Sequence, residues 1–272
     1  MNIAAITVLF NPDKNVISNI YTYLPFVSKL YIIDNSEIPT EFVKNEFKEN
    51  SKVNITTFYE NKGIAFALNV GVTKANESGF SYILTMDQDS FFSEDYFLSF
   101  LKSFEKRNAL DPIAVAGPCY ENGFFHEEFS EVNYLITSGS ILHIPTWSAV
   151  GKFNENLFID HVDTDYCFRV KLSGKKVIRF NNIKLEHRLG EINAIRHYKT
   201  ISLHSYKRMF FITRNTLYII NKYKKQFPQE AQKFQKDLLV RIKNNLIFGK
   251  TKFKSAISIV KGTIYYFFNN WK

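Results

Sequence analysis

The chain has 272 residues, 45% of them hydrophobic and 16% aromatic, which is enough apolar surface for a sizeable core. Lysine and arginine number 35 against 26 acidic residues, and the formal net charge of +9 favours an anionic partner such as a nucleotide diphosphate, a membrane lipid or a nucleic acid. The only two cysteines, Cys119 and Cys167, are far apart, which argues against a disulfide framework and favours a reducing cytosol.

Two further classes are disfavoured by the distribution of apolar residues. The first residues lack a basic region followed by a long apolar stretch, so no signal peptide is predicted. No continuous run of about eighteen apolar residues occurs, so no membrane-spanning helix is predicted. We therefore expect a cytoplasmic protein.

Strand and helix patterns alternate over residues 1–90. Apolar runs that end in polar or glycine-containing turns predict buried strands over residues 3–10, 30–33, 53–59 and 82–86. Spaced apolar residues predict helices over 13–24 and 65–77. This alternation predicts a mostly parallel sheet with right-handed crossovers, as in a nucleotide-binding half. No Gly-x-Gly-x-x-Gly motif follows the first strand, which argues against an NAD-type Rossmann domain.

The pattern continues less regularly after residue 90. Helices are predicted over 94–106 and 166–172, and strands over 113–117 and 176–180. The apolar segment 134–144 is interrupted by Ser138, Gly139 and Ser140, where a glycine would let the backbone approach a ligand closely.

The composition changes in the C-terminal region. No acidic residue occurs between Glu191 and Glu230, or from Leu238 to Lys272, while basic residues accumulate and apolar residues keep a helical spacing. A basic amphipathic helix is typical of a membrane surface. Alternatively, the helix packs its apolar face on the domain or on a second subunit. We predict a basic helical region over residues 196–272.

Two aspartates follow the strand predicted over residues 82–86. In extended chain, Asp87 and Asp89 point to the same side, at the strand end where ligands of α/β sheets bind. A divalent cation carrying a diphosphate would relieve their repulsion, and hard oxygen ligands suit Mg²⁺ or Mn²⁺. Alternatively, the stretch is a solvated turn that caps the next helix, for which Ser90 and Ser93 would also serve.

Polar residues end the other predicted strands as well, which suggests a single crevice. Asp34 could accept a hydrogen bond from a base N–H, or it is a solvated loop residue. Asn61 and Gly63 open a helix whose N-terminal N–H groups could hold an anion, or they form a cap and turn. Asn69, inside that helix, has no evident structural reason to be polar and would otherwise face water.

An acidic cluster and one histidine are the remaining candidates. Asp160, Asp163 and Asp165 are close enough in sequence to raise one another's pKa, which suits a general base, but their spacing does not choose among them. Alternatively, Asp163 caps the helix predicted over 166–172. His187 follows a strand and would be a metal ligand or an ordinary satisfied side chain. Neither cysteine has zinc-type spacing, so both should be buried thiols.

The polar groupings recur in the order found in a known family. The chain resembles the inverting GT-A members of glycosyltransferase family 2 and, within them, a bacterial rhamnosyltransferase-like branch. The resemblance rests on the motifs at residues 7–12, 32–36, 61–65, 69–71, 87–90, 138–140, 151–153, 157–165, 187–191, 208 and 214–215. It implies a GT-A fold, α/β and Rossmann-like, with a catalytic domain over residues 1–195, of which 91–195 would be the acceptor half.

The resemblance also implies roles for individual residues. Asp163 matches the family's catalytic base, and Asp87, Asp89 and His187 would hold Mn²⁺ or Mg²⁺. The remaining positions would contact the nucleotide-sugar donor, the two arginines by guiding pyrophosphate: Thr7, Asn11, Asp34, Asn61, Gly63, Asn69, Asp87, Ser138, Gly139, Arg208 and Arg214.

The implied activity is metal-dependent, inverting transfer of a sugar during the synthesis of a bacterial surface polysaccharide. Rhamnose from dTDP-rhamnose is the expected donor, and galactofuranose, galactose or glucose on UDP are the alternatives. The acceptor would be a saccharide or a lipid-linked glycan at the inner face of the cell membrane, and the C-terminal helices would contact anionic lipid or form a homodimer. From another class, a non-catalytic nucleotide-sugar binder or a nucleic-acid-binding protein is disfavoured. The acidic candidates are all retained, and no helix-turn-helix or zinc-finger signature occurs.

Overall fold

The computed structural model describes residues 2–120, 125–187, 195–196, 199–200 and 203–268, with the backbone alone for 187, 195–196 and 199–200. Contacts divide the chain into two compact units, which are described separately. The first unit comprises Met1–Glu155 and Val162–Arg188, and the second comprises Asn156–His161 and Leu189–Lys272. The predicted domain boundary after residue 195 falls where few residues are described, and it stays a prediction.

The first unit contains the sheet and the helices that cover it. Its strands are β1 Ala4–Leu9, β2 Lys29–Asp34, β3 Val53–Thr57, β4 Tyr82–Asp87, β5 Ser90–Phe91, β6 Val115–Cys119, β7 Phe129–Glu131, β8 Ser140–His143, β9 Val177–Lys184 and β10 Glu186–His187. Its α-helices are α1 Asn15–Tyr21, α2 Glu41–Phe47, α3 Ile64–Glu77, α4 Glu94–Leu110, α5 Ile144–Val150 and α6 Val162–Leu172.

The main sheet has eight strands in the order β3-β2-β1-β4-β8-β6-β9-β7. The pairings among β3, β2, β1 and β4 are all parallel. In the other half β6 and β9 are parallel, whereas β8 runs antiparallel to both of its neighbours and β7 runs antiparallel to β9. Two short strands, β5 and β10, form a separate antiparallel ribbon.

The predicted strands of the first half are present because their apolar side chains are buried. Every residue of β1 is buried, and so are five of the six residues of β2. Burial of this kind on both sides is typical of parallel strands covered by helices on each face. Phenylalanines of α4 (Phe97, Phe100 and Phe104) complete the core on one side of the sheet.

Three elements differ from the sequence-based prediction. Helix α6 begins at Val162, four residues before the predicted start. Asp163 therefore lies inside the first turn of the helix and is not its N-cap. In the apolar segment 134–144, for which no element was predicted, Ser140–His143 forms β8. Helices α2 and α5, each seven residues long, were not predicted because so short a segment carries little periodic signal.

The second unit is helical, as its composition predicted. It contains the short strands β11 Ile195–Arg196 and β12 Lys199–Thr200 and the helices α7 Tyr206–Tyr223, α8 Pro228–Phe248 and α9 Lys252–Phe268. Ser205 caps α7 by accepting a hydrogen bond from the Arg208 backbone N–H at 3.2 Å. Within the described residues, no helix has the length and apolar character needed to cross a bilayer.

Candidate active site

The carboxyl ends of three neighbouring parallel strands meet at one edge of the sheet. Leu9 of β1 is in register with Asp34 of β2, and Val8 of β1 is in register with Asp87 of β4. The structure therefore brings Asp34 and Asp87 to the sheet edge where open α/β proteins bind their ligands.

Gln88 holds the turn between Asp87 and Asp89 in a defined conformation. Its side-chain amide forms hydrogen bonds in both directions with the backbone of Phe10, accepting from the N–H at 2.8 Å and donating to the carbonyl at 3.2 Å. The Asn19 amide donates to the Gln88 carbonyl at 2.9 Å. Both aspartates are partly exposed at this turn. The residue between the two predicted ligands thus anchors them to β1, a role that the sequence analysis did not assign.

The Ser138–Gly139 break lies beside Asp87. The Asp87 backbone N–H donates to Ser138 Oγ at 3.3 Å, and the Gly139 N–H donates to the Thr85 carbonyl at 2.7 Å. Gly139 has a φ of 71°, and a Cβ there would lie 3.0–3.2 Å from side-chain atoms of Leu185, Pro118 and Phe92. Packing and backbone conformation therefore favour glycine here, and a close approach of this backbone to a ligand stays a prediction.

Tyr120 links the turn at residues 87–89 to α6. Its hydroxyl donates a short hydrogen bond to the Ser138 carbonyl. The residue as a whole is 37% exposed, but its hydroxyl is removed from solvent, which raises the pKa of Tyr120 well above its ordinary value, and the negative charges of Asp87 and Asp163 raise it further. A charge influences a pKa in this way only when it lies within a few ångströms. Asp87 and Asp163 are therefore neighbours of one hydroxyl, although 76 residues separate them in the sequence.

The structure distinguishes Asp160, Asp163 and Asp165, which their spacing alone could not. Asp165 is fully buried in an ion pair with Arg169 at 2.9 Å, so its carboxylate has a structural role. Asp160, in the second unit, pairs with Arg208 at 2.9 Å. Asp163 is partly exposed in the first turn of α6, where its Oδ1 accepts from the Thr164 N–H at 2.7 Å. Of the three, Asp163 is the one whose charge acts, together with that of Asp87, on the Tyr120 hydroxyl.

His187 reaches the same region through the backbone. It pairs with Ser90 in the ribbon of β5 and β10, directly after Asp89, while its side chain lies outside the described residues. No group of three potential metal ligands is found among the described side chains, a set that lacks this imidazole. Two carboxylates on one turn, with a histidine backbone paired to the next residue, suit a hard divalent cation by donor chemistry.

Comparison with known proteins identifies the family. The model of the family described as glycosyl transferase family 2 matches residues 24–179, which is more than half of the chain. The chain belongs to glycosyl transferase family 2. It is 26% identical over 245 residues to the dTDP-rhamnosyl transferase RfbF of Shigella flexneri, covering 81% of this chain and 80% of that protein.

Two solved structures are similar in fold to this glycosyltransferase. S. aureus TarS 1-349 in complex with UDP-GlcNAc matches with a TM-score of 0.61 and 13% identity, over 96% of this chain and 79% of that chain. GalNAc-T7 with UDP, GalNAc and Mn²⁺ matches with a TM-score of 0.58 and 11% identity, over 94% and 58%. The chain spans 44% of a longer TarS structure. The predicted α/β fold of the GT-A type is confirmed.

Two side chains predicted to contact the nucleotide-sugar donor form hydrogen bonds with other groups of the glycosyltransferase. Thr7 is fully buried, with its hydroxyl 2.5 Å from that of Tyr23, so in this conformation its side chain is closed to a nucleotide. Asp34 is 1% exposed, and its two oxygens accept from the backbone N–H groups of Ser36 at 3.1 Å and Thr40 at 2.7 Å. Both residues shape the sheet edge, and a contact with the base stays a prediction for them.

Asn11, Asn61 and Gly63 lie in the loops that follow β1 and β3. The Asn11 backbone N–H donates to Ser36 Oγ at 2.9 Å, while its side chain is exposed. Asn61 Oδ1 accepts from the Asn35 amide and from the Gly63 N–H, both at 3.0 Å, and Gly63 has a φ of 84° before α3. These bonds define the turn into α3, where a donor phosphate would meet the helix N-terminus.

Asn69 has a structural role that the sequence did not reveal. Its amide nitrogen donates to the Phe153 carbonyl at 2.9 Å and to the Glu155 carboxylate at 2.7 Å, while its oxygen accepts from the Phe153 N–H at 2.9 Å. Arg169 donates to the carbonyls of residues 150–152. Together they hold the loop that contains the Gly-Lys-Phe motif, which corrects the expectation that Asn69 lacks a structural reason to be polar.

In the second unit, residues 156–161 form a strained segment. Phe158, Asp160 and His161 each have a φ of 64°, a region that side chains other than glycine rarely adopt. The Asn215 amide nitrogen donates to the carbonyls of Leu157 at 2.8 Å, Ile159 at 2.6 Å and Asp160 at 3.1 Å. One side chain of α7 therefore holds the segment in its unusual conformation.

Arg214 and Arg208 support the same segment. Arg214 is 6% exposed and donates to the carbonyls of Asn156 at 2.7 Å and Leu157 at 3.1 Å, and to Asn215 Oδ1 at 2.8 Å. Burial lowers the pKa of Arg214 to about 10. Arg208 is exposed and forms a two-point ion pair with Asp160. Both arginines thus have structural partners, and guiding pyrophosphate stays a prediction for them.

Proposed function

We propose that this glycosyltransferase transfers rhamnose from dTDP-rhamnose to a saccharide or lipid-linked acceptor, with inversion at the anomeric carbon, in the synthesis of a bacterial surface polysaccharide. The choice of donor is supported by the similarity to RfbF, which extends over four fifths of both chains. The single observation that carries the catalytic assignment is the position of Asp87 and Asp163 beside the Tyr120 hydroxyl.

In this proposal Asp163 is the general base. The acceptor hydroxyl gives its proton to the Asp163 carboxylate as its oxygen bonds to the anomeric carbon. The bond from that carbon to the diphosphate oxygen breaks on the opposite face, so a single displacement inverts the centre. The arrangement is that of an inverting glycosidase, with a sugar hydroxyl replacing water. The partial exposure of Asp163 is consistent with access by an acceptor.

Asp87, Asp89 and His187 would hold Mn²⁺ or Mg²⁺, which when bound would neutralise the charge that develops on the diphosphate. Asp87 would also face the ribose, and Ser138 and Gly139 would line the same wall of the site. Asn11, Asp34, Asn61 and Gly63 would surround the nucleotide at the ends of β1, β2 and β3. The hydrogen bonds of Gln88 to the Phe10 backbone would keep these carboxylates in a fixed position for the donor.

A lipid-linked acceptor would be presented at a bilayer. The proposal therefore includes a position at the cytoplasmic face of the cell membrane, with peripheral attachment.

A panel of sugar nucleotides tests the donor. The purified chain is titrated by calorimetry with dTDP-rhamnose and with UDP-linked glucose, galactose and galactofuranose, each with Mn²⁺, with Mg²⁺ and with a chelator. We expect dTDP-rhamnose to bind most tightly and to be hydrolysed slowly in the absence of acceptor. Preferential binding and turnover of a UDP-sugar would overturn the choice of rhamnose but not the assignment of Asp163.

Asp163→Asn tests the base. The amide keeps the shape of the side chain but accepts a proton poorly, so donor affinity should be retained while transfer falls by about 10²- to 10⁴-fold, as for the loss of a general base. Asp95→Asn, at an exposed position of α4, is the matched control and should behave as the wild type. Near-normal transfer by the Asp163 variant would remove this residue from the proposed role.

A further inference from the structure

Helix α9 packs in the second unit through its small residues. Ser255, Ser258 and Gly262 are its buried positions. A Cβ at Gly262 would lie 2.6 Å from the Phe210 carbonyl oxygen of α7, so the two helices approach closely there. The fully buried positions of α9 are therefore all small residues, and Ile259 is the large apolar residue that packs beside them, against Met209, Ile212 and Leu238.

Five other large apolar side chains of α9 point away from the rest of the second unit. Phe253, Ile257, Val260, Ile264 and Phe267 follow one another at intervals of four and three residues and so lie along one face of the helix. Each of them is between 39% and 79% exposed. A continuous exposed apolar stripe of this kind marks an interaction site, because isolated monomers rarely leave one uncovered.

We call these five apolar residues the outer stripe of α9. The residues that flank the outer stripe are basic. Lys252 and Lys254 lie on either side of Phe253, Lys261 follows Val260, and all three are exposed. No acidic residue occurs from Leu238 to Lys272. An apolar face bordered by lysines is the pattern of a helix that lies in the interface of an anionic bilayer.

A second copy of the chain is a poorer partner for the stripe. The alternating spacing would suit a two-helix seam, but that seam needs oppositely charged residues beside it. Pairing two copies of α9 would bring lysines from both chains together without an acidic residue in this region to compensate them. A surface of anionic headgroups, in contrast, complements the lysines and accepts the apolar side chains.

We propose that the outer stripe of α9 docks the enzyme on anionic lipid, with the helix lying in the plane of the membrane surface. The inference rests on the proposed function for its location at a membrane, but it requires no particular donor. A basic amphipathic helix of this kind lies in the interface and does not span the bilayer, so the proposed attachment is peripheral.

Vesicle flotation with the full chain tests the proposal. We expect the protein to float with phosphatidylcholine vesicles that contain phosphatidylglycerol, to remain behind with pure phosphatidylcholine, and to be released by salt. Phe253→Glu and Val260→Glu should abolish flotation. Replacing Lys252, Lys254 or Lys261 by glutamine should weaken it by about fivefold for each lysine. Because these side chains are exposed, the variants should keep the wild-type thermal unfolding temperature.

Two substitutions in the first unit are matched controls. Leu110→Glu replaces an apolar side chain that is 79% exposed, and Lys48→Gln removes an exposed lysine. Both should float as the wild type does. The proposal is overturned if flotation is independent of phosphatidylglycerol, or if Val260→Glu floats normally. It is also overturned if the wild type does not bind vesicles but sediments as a dimer, and Val260→Glu converts that dimer to a monomer. Donor hydrolysis in solution should be unchanged in every variant. A wild type that floats but does not hydrolyse donor would count against the proposed function alone.

Discussion

Asn215→Ala tests whether α7 holds residues 156–161 in their left-handed conformation. The side chain is fully buried, and its amide nitrogen approaches three carbonyl oxygens of the segment at 2.6–3.1 Å. Alanine removes these hydrogen bonds and also the acceptor of the Arg214 Nε–H at 2.8 Å. The substitution should therefore release the segment.

The expected loss can be worked from these contacts. An amide has two hydrogens, so the three carbonyls represent two full hydrogen bonds, each worth about 1 kcal/mol net. The Leu157 carbonyl keeps its bonds from Arg214 and from the Ile159 N–H. The carbonyls of Ile159 and Asp160 and the Arg214 Nε–H lose their bonds to Asn215, which adds about 1 kcal/mol. We expect the free energy of unfolding to fall by about 3 kcal/mol.

Urea unfolding followed by circular dichroism measures this loss. Asn215→Asp is the informative companion, because it keeps the shape of the side chain but has no N–H to donate, and it should cost at least as much as alanine. Asn45→Ala, at an exposed position of α2, is the control and should change the free energy of unfolding by less than about 0.5 kcal/mol. An Asn215→Asp variant as stable as the wild type would refute the reasoning, because the carbonyls would then not depend on its N–H groups.

Three further predictions concern metal, pH and the loop at residues 150–153. Asp89→Ala should weaken donor binding at least about tenfold in Mn²⁺ and little in chelator, and equal affinities for variant and wild type in both conditions would contradict the metal site. Burial lowers the pKa of His161 from 6.5 to about 4, so the unfolded chain binds its proton first. The contribution of His161 to the free energy of unfolding should therefore be fully present above pH 6.5 and be lost as the pH falls towards 4, by at most about 1.4 kcal/mol per pH unit. His161→Asn should make this acid-induced loss of stability smaller when unfolding is measured across pH, and asparagine tolerates the positive φ at this position. Part of the loss should remain, because the pKa of His204 is also lowered to about 4. Asn69→Ala should lower the free energy of unfolding by about 2 kcal/mol through its lost bonds to Phe153 and Glu155 without changing donor affinity, and weaker donor binding at unchanged stability would restore its predicted donor contact.

The fold could be predicted where burial leaves a strong local signal. Strands β1 to β4 and helices α3 and α4 were found from apolar runs and helical spacing, because elements buried on both faces or along one face have few alternatives. The start of α6 was missed because Val162 to Asp165 carries no helical periodicity, and the helix there depends on packing within the unit.

Candidate residues for the site could be selected from the sequence because polar residues follow the buried strands and occur in the order found in a known family. Their structural uses could not, since Asp34 proved to be buried with backbone partners. The sequence did not predict which groups each polar residue contacts. The spacing of Asp160, Asp163 and Asp165 does not show what each carboxylate contacts. In the folded chain Asp165 pairs with Arg169 and Asp160 pairs with Arg208, while the charge of Asp163 acts with that of Asp87 on Tyr120.

The local pattern of the chain determined the order of strands and helices, the carboxylate-bearing edge of the sheet and the basic, apolar character of the C-terminal helices. Tertiary structure alone decided which polar side chains hold loops together, that Tyr120 lies between two distant aspartates, and that α9 turns five large apolar residues outward. The reason is physical: periodicity records which positions are buried. The partner of a buried amide, hydroxyl or guanidinium group depends on contacts between residues far apart in the chain.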